Sequence, residues 1–167
     1  FYTMRNILRD GGAQDIAALQ QLNYTTGSGG YTNSTTPSIW PSKGVITSPY
    51  GTRVDPVTGA ASAFHEGVDI ADDYGTPIVA TAAGTVTFAG YTEGGYGNLV
   101  EIDHGNGFVT RYGHNSAVLV TPGMTVKQGQ VIALMGSTGK STGAHVHYEV
   151  RINGSAVDPM VFLPISN

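Results

Sequence analysis

Residues 136–150 read GSTGKSTGAHVHYEV, and the two halves ask for different folds. Gly139-Lys140-Ser141 resembles the end of a phosphate-binding loop, which belongs to a parallel α/β domain. Such a loop needs Gly, four residues, then Gly-Lys-Ser/Thr running straight into a helix. Counting back from Gly139, the first glycine falls at position 134, and that residue is Leu134. The phosphate grip also depends on N–H groups at a helix N-terminus, whereas the residues after Ser141 alternate as a strand does. Motif and context both fail, so no nucleotide site is expected; 136–144 reads as a Gly-rich loop feeding a strand. In that strand His145 and His147 lie two apart and share a face, so both imidazoles can reach one centre.

The residues on either side support β structure. Short apolar or alternating runs sit between Gly, Pro and Asn turns: 45–48, 67–71, 77–81, 84–91, 98–104, 107–114, 125–135, 145–152 and 155–159. EIDHGNGFVTRYGH (101–114) reads as a hairpin with Gly-Asn-Gly at its turn. Strands this short and close predict an all-β domain, an antiparallel sheet sandwich or open barrel, over residues 39–167. Residues 1–38 form the other region. Ile16, Leu19 and Leu22 recur at helical spacing after the cap candidate Asp15, predicting a short N-terminal helix around 13–23. GSGGYTNSTTPS (27–38) has linker composition. This region could be a stalk, a packing strap, or a segment that occludes the groove, with Asn23 or Asn33 offering a carbonyl to a metal.

Composition narrows the function classes. The 167 residues suit one domain with an extension. Only 12% are charged, with 24 glycines and nine tyrosines, against ~25% charged in a typical domain; that suits a turn-rich β surface. Net charge is −4 with no basic cluster, which argues against nucleic acid as a partner. No apolar run reaches the ~18 residues of a transmembrane span. Cysteine is absent, removing disulfides, Cys-based zinc sites and a Cys nucleophile together. The chain begins at Phe1, and FYTMRNILRD lacks a signal-peptide core; it reads as a mature chain or a fragment of something longer.

A metal site needs more than one His pair, and FHEGVDI (64–70) supplies His65 and Asp69, an imidazole and a carboxylate of the kinds zinc accepts. Gly67 argues against a helical i,i+4 pair, and a bend there would turn both side chains inward. His114 closes the run RYGH. His104, at the hairpin turn, reads as a solvated or structural histidine. Glu66 and Glu149 are bases by chemistry alone. Arg53, after SPYG, is placed to bind a substrate carboxylate or to pair with Asp55 or Asp72. Tyr50, Tyr74, Tyr96 and Tyr112 offer faces for a groove or for the sheet, and YTEGGYGN (91–98) is the candidate groove wall.

With His65-x-x-x-Asp69, His114 and His145-x-His147 in this order, the chain resembles the lysostaphin/LytM-type zinc endopeptidases. The likeness runs from SPYGTR (48–53) through TVKQGQVIALMGSTGKSTGAHVHYEV to the VDP at 157–159. It implies a β-sheet core with a long groove, and peptidoglycan cross-bridges or stems as substrate. It also implies Zn2+ held by His65, Asp69 and His147, with His145 and His114 doing acid–base and transition-state work and neither Glu66 nor Glu149 catalytic. A catalytic zinc takes three protein ligands and leaves one place open, as this set does. His145 is favoured as base, since its neighbour His147 sits on the metal, although the two roles can be exchanged. The expected location is extracytoplasmic (secreted, periplasmic or cell-envelope), with a phage particle as the other source. Gly–Gly, D-Ala–Gly and D-Ala–diaminopimelate bonds all stay open as targets. Two other readings compete. One is a non-cleaving cell-wall-binding or amidase-activating module. The other, from VTPGMTVKQGQVIA (120–133), is a carrier or phosphotransfer β-domain.

Overall fold

Val146, Tyr148 and Val150 alternate with His145, His147, Glu149 and Arg151, so one strand can bury an apolar set on one face and present a chemical set on the other. A computed structural model describes residues 31–53, 63–141 and 143–165. The helix expected around 13–23 lies outside them. The described strands are β1 (Val45–Ser48), β2 (Gly51–Arg53), β3 (Ala63–His65), β4 (Val68–Ala71), β5 (Pro77–Val79), β6 (Gly84–Thr92), β7 (Gly97–Asp103), β8 (Phe108–Asn115), β9 (Ala117–Val118), β10 (Thr125–Val126), β11 (Val131–Leu134), β12 (His145–Ile152) and β13 (Ser155–Val157), followed by a 3-10 turn, Pro159–Phe162. No described helix is long and apolar enough to cross a membrane.

The main antiparallel sheet has the order β1-β4-β12-β8-β7-β6-β10, with β13 also on β12; β5-β11-β9 form a second sheet and β2-β3 a hairpin. The all-β, antiparallel expectation holds. The run at 125–135 divides into β10 and β11 around the turn at 127–130, because Gly129 and Gln130 interrupt its alternation. β2, β3 and β9, none of which was anticipated, are only two or three residues long, too short for period 2 to show. The 101–114 hairpin forms as read, Asp103 opposite Val109.

The core lies between the two sheets. Val68 and Ile70 of β4, Val100 and Ile102 of β7, Tyr112 of β8 and Val146, Tyr148 and Val150 of β12 meet Ile78 of β5 and Ile132 of β11, all fully buried. Each such side chain contributes roughly 1.5–3 kcal/mol. Polar groups inside this layer are joined in a chain. His104 faces the Ala83 carbonyl through Nδ1 (2.7 Å) and the Thr110 hydroxyl through Nε2 (2.9 Å). Thr110 meets Tyr112 Oη at 2.7 Å, Tyr112 Oη meets the Thr81 hydroxyl at 3.0 Å, and Tyr148 Oη donates to Thr81 Oγ1 at 2.7 Å. A carbonyl only accepts, so His104 Nδ1 carries the proton. That fixes the sense of every later link: Tyr148 to Thr81 to Tyr112 to Thr110 to His104 to Ala83.

Residues 31–41 run along this second layer. Thr32 exchanges backbone bonds with Gln128, Ser34 accepts from Ala83 N–H, Ser38 N–H reaches Thr81 O, and Pro41 accepts from Val79. Gln128 Nε2 ties Ser38 Oγ and Thr81 O together.

Candidate metal centre

The opposite face of the main sheet carries the chemistry. On β12, His147 stands directly across from Asp69 of β4 and, on its other side, from Gly113 of β8. Their core-facing neighbours, Tyr148 and Val68, fix that parity. His65 arrives from the end of β3 through the turn at Glu66-Gly67. A Cβ on Gly67 would lie 2.3 Å from the Tyr148 carbonyl oxygen; only glycine lets the chain carrying His65 and Asp69 lie this close to β12. The bend expected there is present.

His65 Nε2, His147 Nδ1 and Asp69 Oδ1 form a nearly equilateral triangle, with sides of 3.0 Å (His65–His147), 3.2 Å (His65–Asp69) and 3.1 Å (His147–Asp69). All three residues are buried. The outer nitrogens are committed elsewhere. His65 Nδ1 donates to the Pro49 carbonyl (2.9 Å), and His147 Nε2 lies 2.7 Å from Glu149 Oε2. Both inner nitrogens then present lone pairs, to each other and to a carboxylate oxygen. Three such acceptors repel unless a cation sits among them. A proton on His147 can serve. A tetrahedral zinc with ligands at 2.0–2.1 Å has ligand–ligand edges of about 3.3 Å, close to the triangle observed. The donor set fits the metal.

Two more histidines flank the triangle. His145, two residues before His147, donates through Nδ1 to Gly143 O (2.8 Å) and brings Nε2 to 3.6 Å from Asp69 Oδ1. His114, at the end of β8, donates through Nδ1 to Thr138 O (2.6 Å); its ring centre is 4.6 Å from that of His145. His114 adopts a left-handed backbone conformation, φ 65°, a strain on the order of 1–3 kcal/mol. Its N–H bond to the Tyr96 carbonyl (2.6 Å) helps hold it there. The loop 136–141 supplies the acceptor for its ring. Gly139, at φ 74°, presses so close to Gly97 that a Cβ would lie 2.3 Å from the Gly97 nitrogen. That contact seats Thr138 over His114.

The field follows the charges. Burial opposes ionisation of Asp69, but the adjoining His147 and His65 rings outweigh it and hold the carboxyl well below the carboxylate range. Burial likewise opposes a charged His147, yet Asp69 and Glu149 outweigh it and hold that ring up at about 9. His114 is pushed down to about 4, chiefly by burial, with His145 and His147 adding repulsion; it is neutral at pH 7.

These groups open into a groove of about 630 Å³, walled on one side by Thr47, Ser48 and Phe64 and on the other by Gly94, Gly95, Tyr96 and Lys140. The wall expected at 91–98 is the turn 93–96 between β6 and β7, which supplies Gly94, Gly95 and Tyr96. Of the four tyrosines, Tyr96 lines the groove, Tyr112 is core, Tyr50 props Phe64 edge-on at 5.2 Å, and Tyr74 is exposed outside the groove lining. Arg53 ends β2, pairing with Ala63 through the backbone; its side chain lies outside what is described. Asn33 is exposed between Thr32 and Ser34, whose partners Gln128 and Ala83 do not line the groove, so it does not occupy the metal position; Asn23 lies outside the described residues. His104 is buried and structural rather than solvated. Glu66 pairs with Arg151 at 3.3 Å.

Glu149 is the residue whose place the sequence reading missed. It is 1% exposed, and its carboxylate is held down to about 2: burial opposes this, but His147, Tyr96 and Arg151 outweigh it. The signal was present, since the alternation that aligns His145 with His147 also aligns Glu149.

The chain matches Peptidase family M23 over residues 63–159. It is 49% identical over 120 residues to the DD-carboxypeptidase/endopeptidase Mpg of Neisseria meningitidis serogroup B, covering 71% of this chain and 27% of Mpg. It is 40% identical over 125 residues to the murein hydrolase activator NlpD of Escherichia coli K12, covering 75% of this chain and 31% of NlpD. The chain therefore spans about a third or less of either relative. Among solved structures, a zinc-containing peptidase from Vibrio cholerae superposes with a TM-score of 0.68 at 36% identity, over 76% of this chain and 40% of that one. The catalytic domain of lysostaphin from Staphylococcus simulans gives 0.65 at 34%, over 71% of this chain and 90% of that one. With the matched region running from β3 to the 3-10 turn and taking in every histidine of the centre, this chain belongs to peptidase family M23.

Proposed function

We propose that this chain is a zinc endopeptidase that hydrolyses peptide bonds in bacterial peptidoglycan, with His65, Asp69 and His147 as metal ligands. The observation that carries the reading is the hydrogen-bond pattern: each of the four histidines commits one ring nitrogen to a fixed acceptor, which leaves the other for the centre. When bound, Zn2+ supplies Lewis acidity for a carbonyl and for an attacking water. The protein's own share is proton handling. His145 and His114 each donate through Nδ1 to a carbonyl, so Nε2 is the nitrogen each has left to accept a proton. His145, its Nε2 3.6 Å from Asp69 Oδ1, takes the proton of the attacking water and returns it to the leaving amine. His114, neutral and fixed by Thr138, sits beside it to share that charge. Phe64 and the 94–96 wall hold an extended peptide across the centre, and Arg53 remains the proposed contact for a substrate carboxylate. Similarity to a murein hydrolase activator supports the extracytoplasmic side as the proposed location. Residues 39–167 are the proposed catalytic domain.

A second reading, a non-cleaving activator, is favoured by the 40% identity to a murein hydrolase activator. The complete ligand set supports the first. Incubating peptidoglycan of two wall types with zinc-loaded protein and with His145→Ala, and reading new amino termini by mass spectrometry, separates them. Cleavage by the native chain alone supports the peptidase and names the bond. No cleavage of either wall type by the native chain, or by a form lacking residues 1–30, supports the activator.

A further inference from the structure

The triangle of ligand atoms depends on which nitrogen of His147 holds the proton, and a carboxylate faces each of the two. Glu149 Oε2 lies 2.7 Å from His147 Nε2, on the side of the ring away from Asp69. The same oxygen accepts from Tyr96 Oη at 2.6 Å, while Oε1 accepts from Arg151 Nε at 2.8 Å and faces Arg111 Nη1 at 3.8 Å. A carboxylate this buried would be costly alone; two guanidiniums and a phenol compensate it. Both oxygens are engaged, and His147 stands between Glu149 and the triangle, so Glu149 is not a base for the reaction.

We propose that Glu149 is the positioning residue of the metal centre: its carboxylate keeps the His147 proton on Nε2, so that the Nδ1 lone pair faces His65 and Asp69. Tyr96 and Arg151 hold that carboxylate in place. Tyr96 is also a groove wall, and its carbonyl holds His114 N–H. One tyrosine therefore ties the substrate wall to the metal ligand and to the second histidine. The inference rests on the reading of the triangle as a metal site.

Glu149→Gln tests it with little change in shape. In one orientation the amide NH2 confronts His147 Nε2–H and Tyr96 O–H, which forces the His147 proton onto the ligand nitrogen. In the other it confronts Arg151 Nε–H. Zinc affinity, measured by chelator competition on metal-free protein shown to be folded by circular dichroism, is expected to fall about 10–100-fold. A second measurement needs no variant: nitrogen-15 NMR of zinc-loaded wild-type protein is expected to show His147 protonated at Nε2 and unprotonated at Nδ1. Affinity of a folded Glu149→Gln within two-fold of wild type, or a proton on Nδ1 in the wild type, overturns the proposal. Should Glu149→Gln fail to fold, the wild-type spectrum decides. A wild-type protein that binds no zinc overturns the metal reading itself, a result distinct from tight zinc binding that ignores Glu149.

Discussion

Gly67 touches no reactant, yet its missing side chain sets where two ligands stand. Gly67→Ala places a methyl against the Tyr148 carbonyl, so β3 and β4 must move away from β12. The expected cost is about 1–3 kcal/mol, as for other overpacking. Zinc affinity should fall further than that of a surface alanine control, since His65 and Asp69 both ride on the shifted segment. Urea unfolding and chelator competition measure the two effects. His104 makes the second residue-scale prediction. Burial lowers its affinity for a proton, and the added proton would have to sit on Nε2, against a Thr110 hydroxyl already accepting from Tyr112. The unfolded chain, with a histidine near ~6.5, binds that proton more readily. This contribution to stability is complete above ~6.5 and is lost as pH falls through the range below it. Urea midpoints from pH 8 to 5 should fall less steeply for His104→Asn than for the native chain, although the variant is weaker at pH 8.

At the scale of elements, the buried hydroxyl chain and the 136–141 loop serve different ends. Tyr112→Phe and Tyr148→Phe remove the same atom from neighbouring strands, with unequal results expected. Tyr148 only donates, to Thr81 Oγ1, so its loss costs about 1 kcal/mol. Tyr112 also accepts the Thr81 backbone N–H at 3.0 Å, and its loss strands a buried donor, adding roughly 1–3 kcal/mol. Chemical denaturation of the two variants checks the order. The loop instead serves the site: Gly139→Ala collides with Gly97 and moves Thr138, whose carbonyl orients His114. Peptidase turnover should drop at least ten-fold with zinc affinity nearly unchanged, because no proposed ligand sits on that loop.

Most of this was legible because strands with one buried face advertise their period. The 45–48 and 145–152 runs form strands with the bounds their alternation gave, and HxH and HxxxD supplied the residues that meet. What stayed hidden is tertiary. Nothing local says that Glu149 is buried, because Arg111 reaches it from β8 and Tyr96 from the turn between β6 and β7. Nothing in IDHGNG says that the start of β6 and the turn before it will close over His104. Hairpin β2-β3 is too short to signal itself, although it delivers His65.

For the molecule as a whole, zinc binding should raise stability by mass action. A hundred-fold excess over the dissociation constant adds about 2.7 kcal/mol, so chelator should lower the midpoint of thermal unfolding and excess zinc should restore it. Tyr148 and His147 add a consequence of their adjacency. Slip β12 by one residue and the tyrosine faces solvent while the histidine enters the apolar layer, so core and centre fail in the same event. An off-register molecule cannot be well packed and merely inactive. In a stability assay the catalytic signal therefore counts correctly folded molecules, and turnover per folded molecule stays constant while the folded fraction declines.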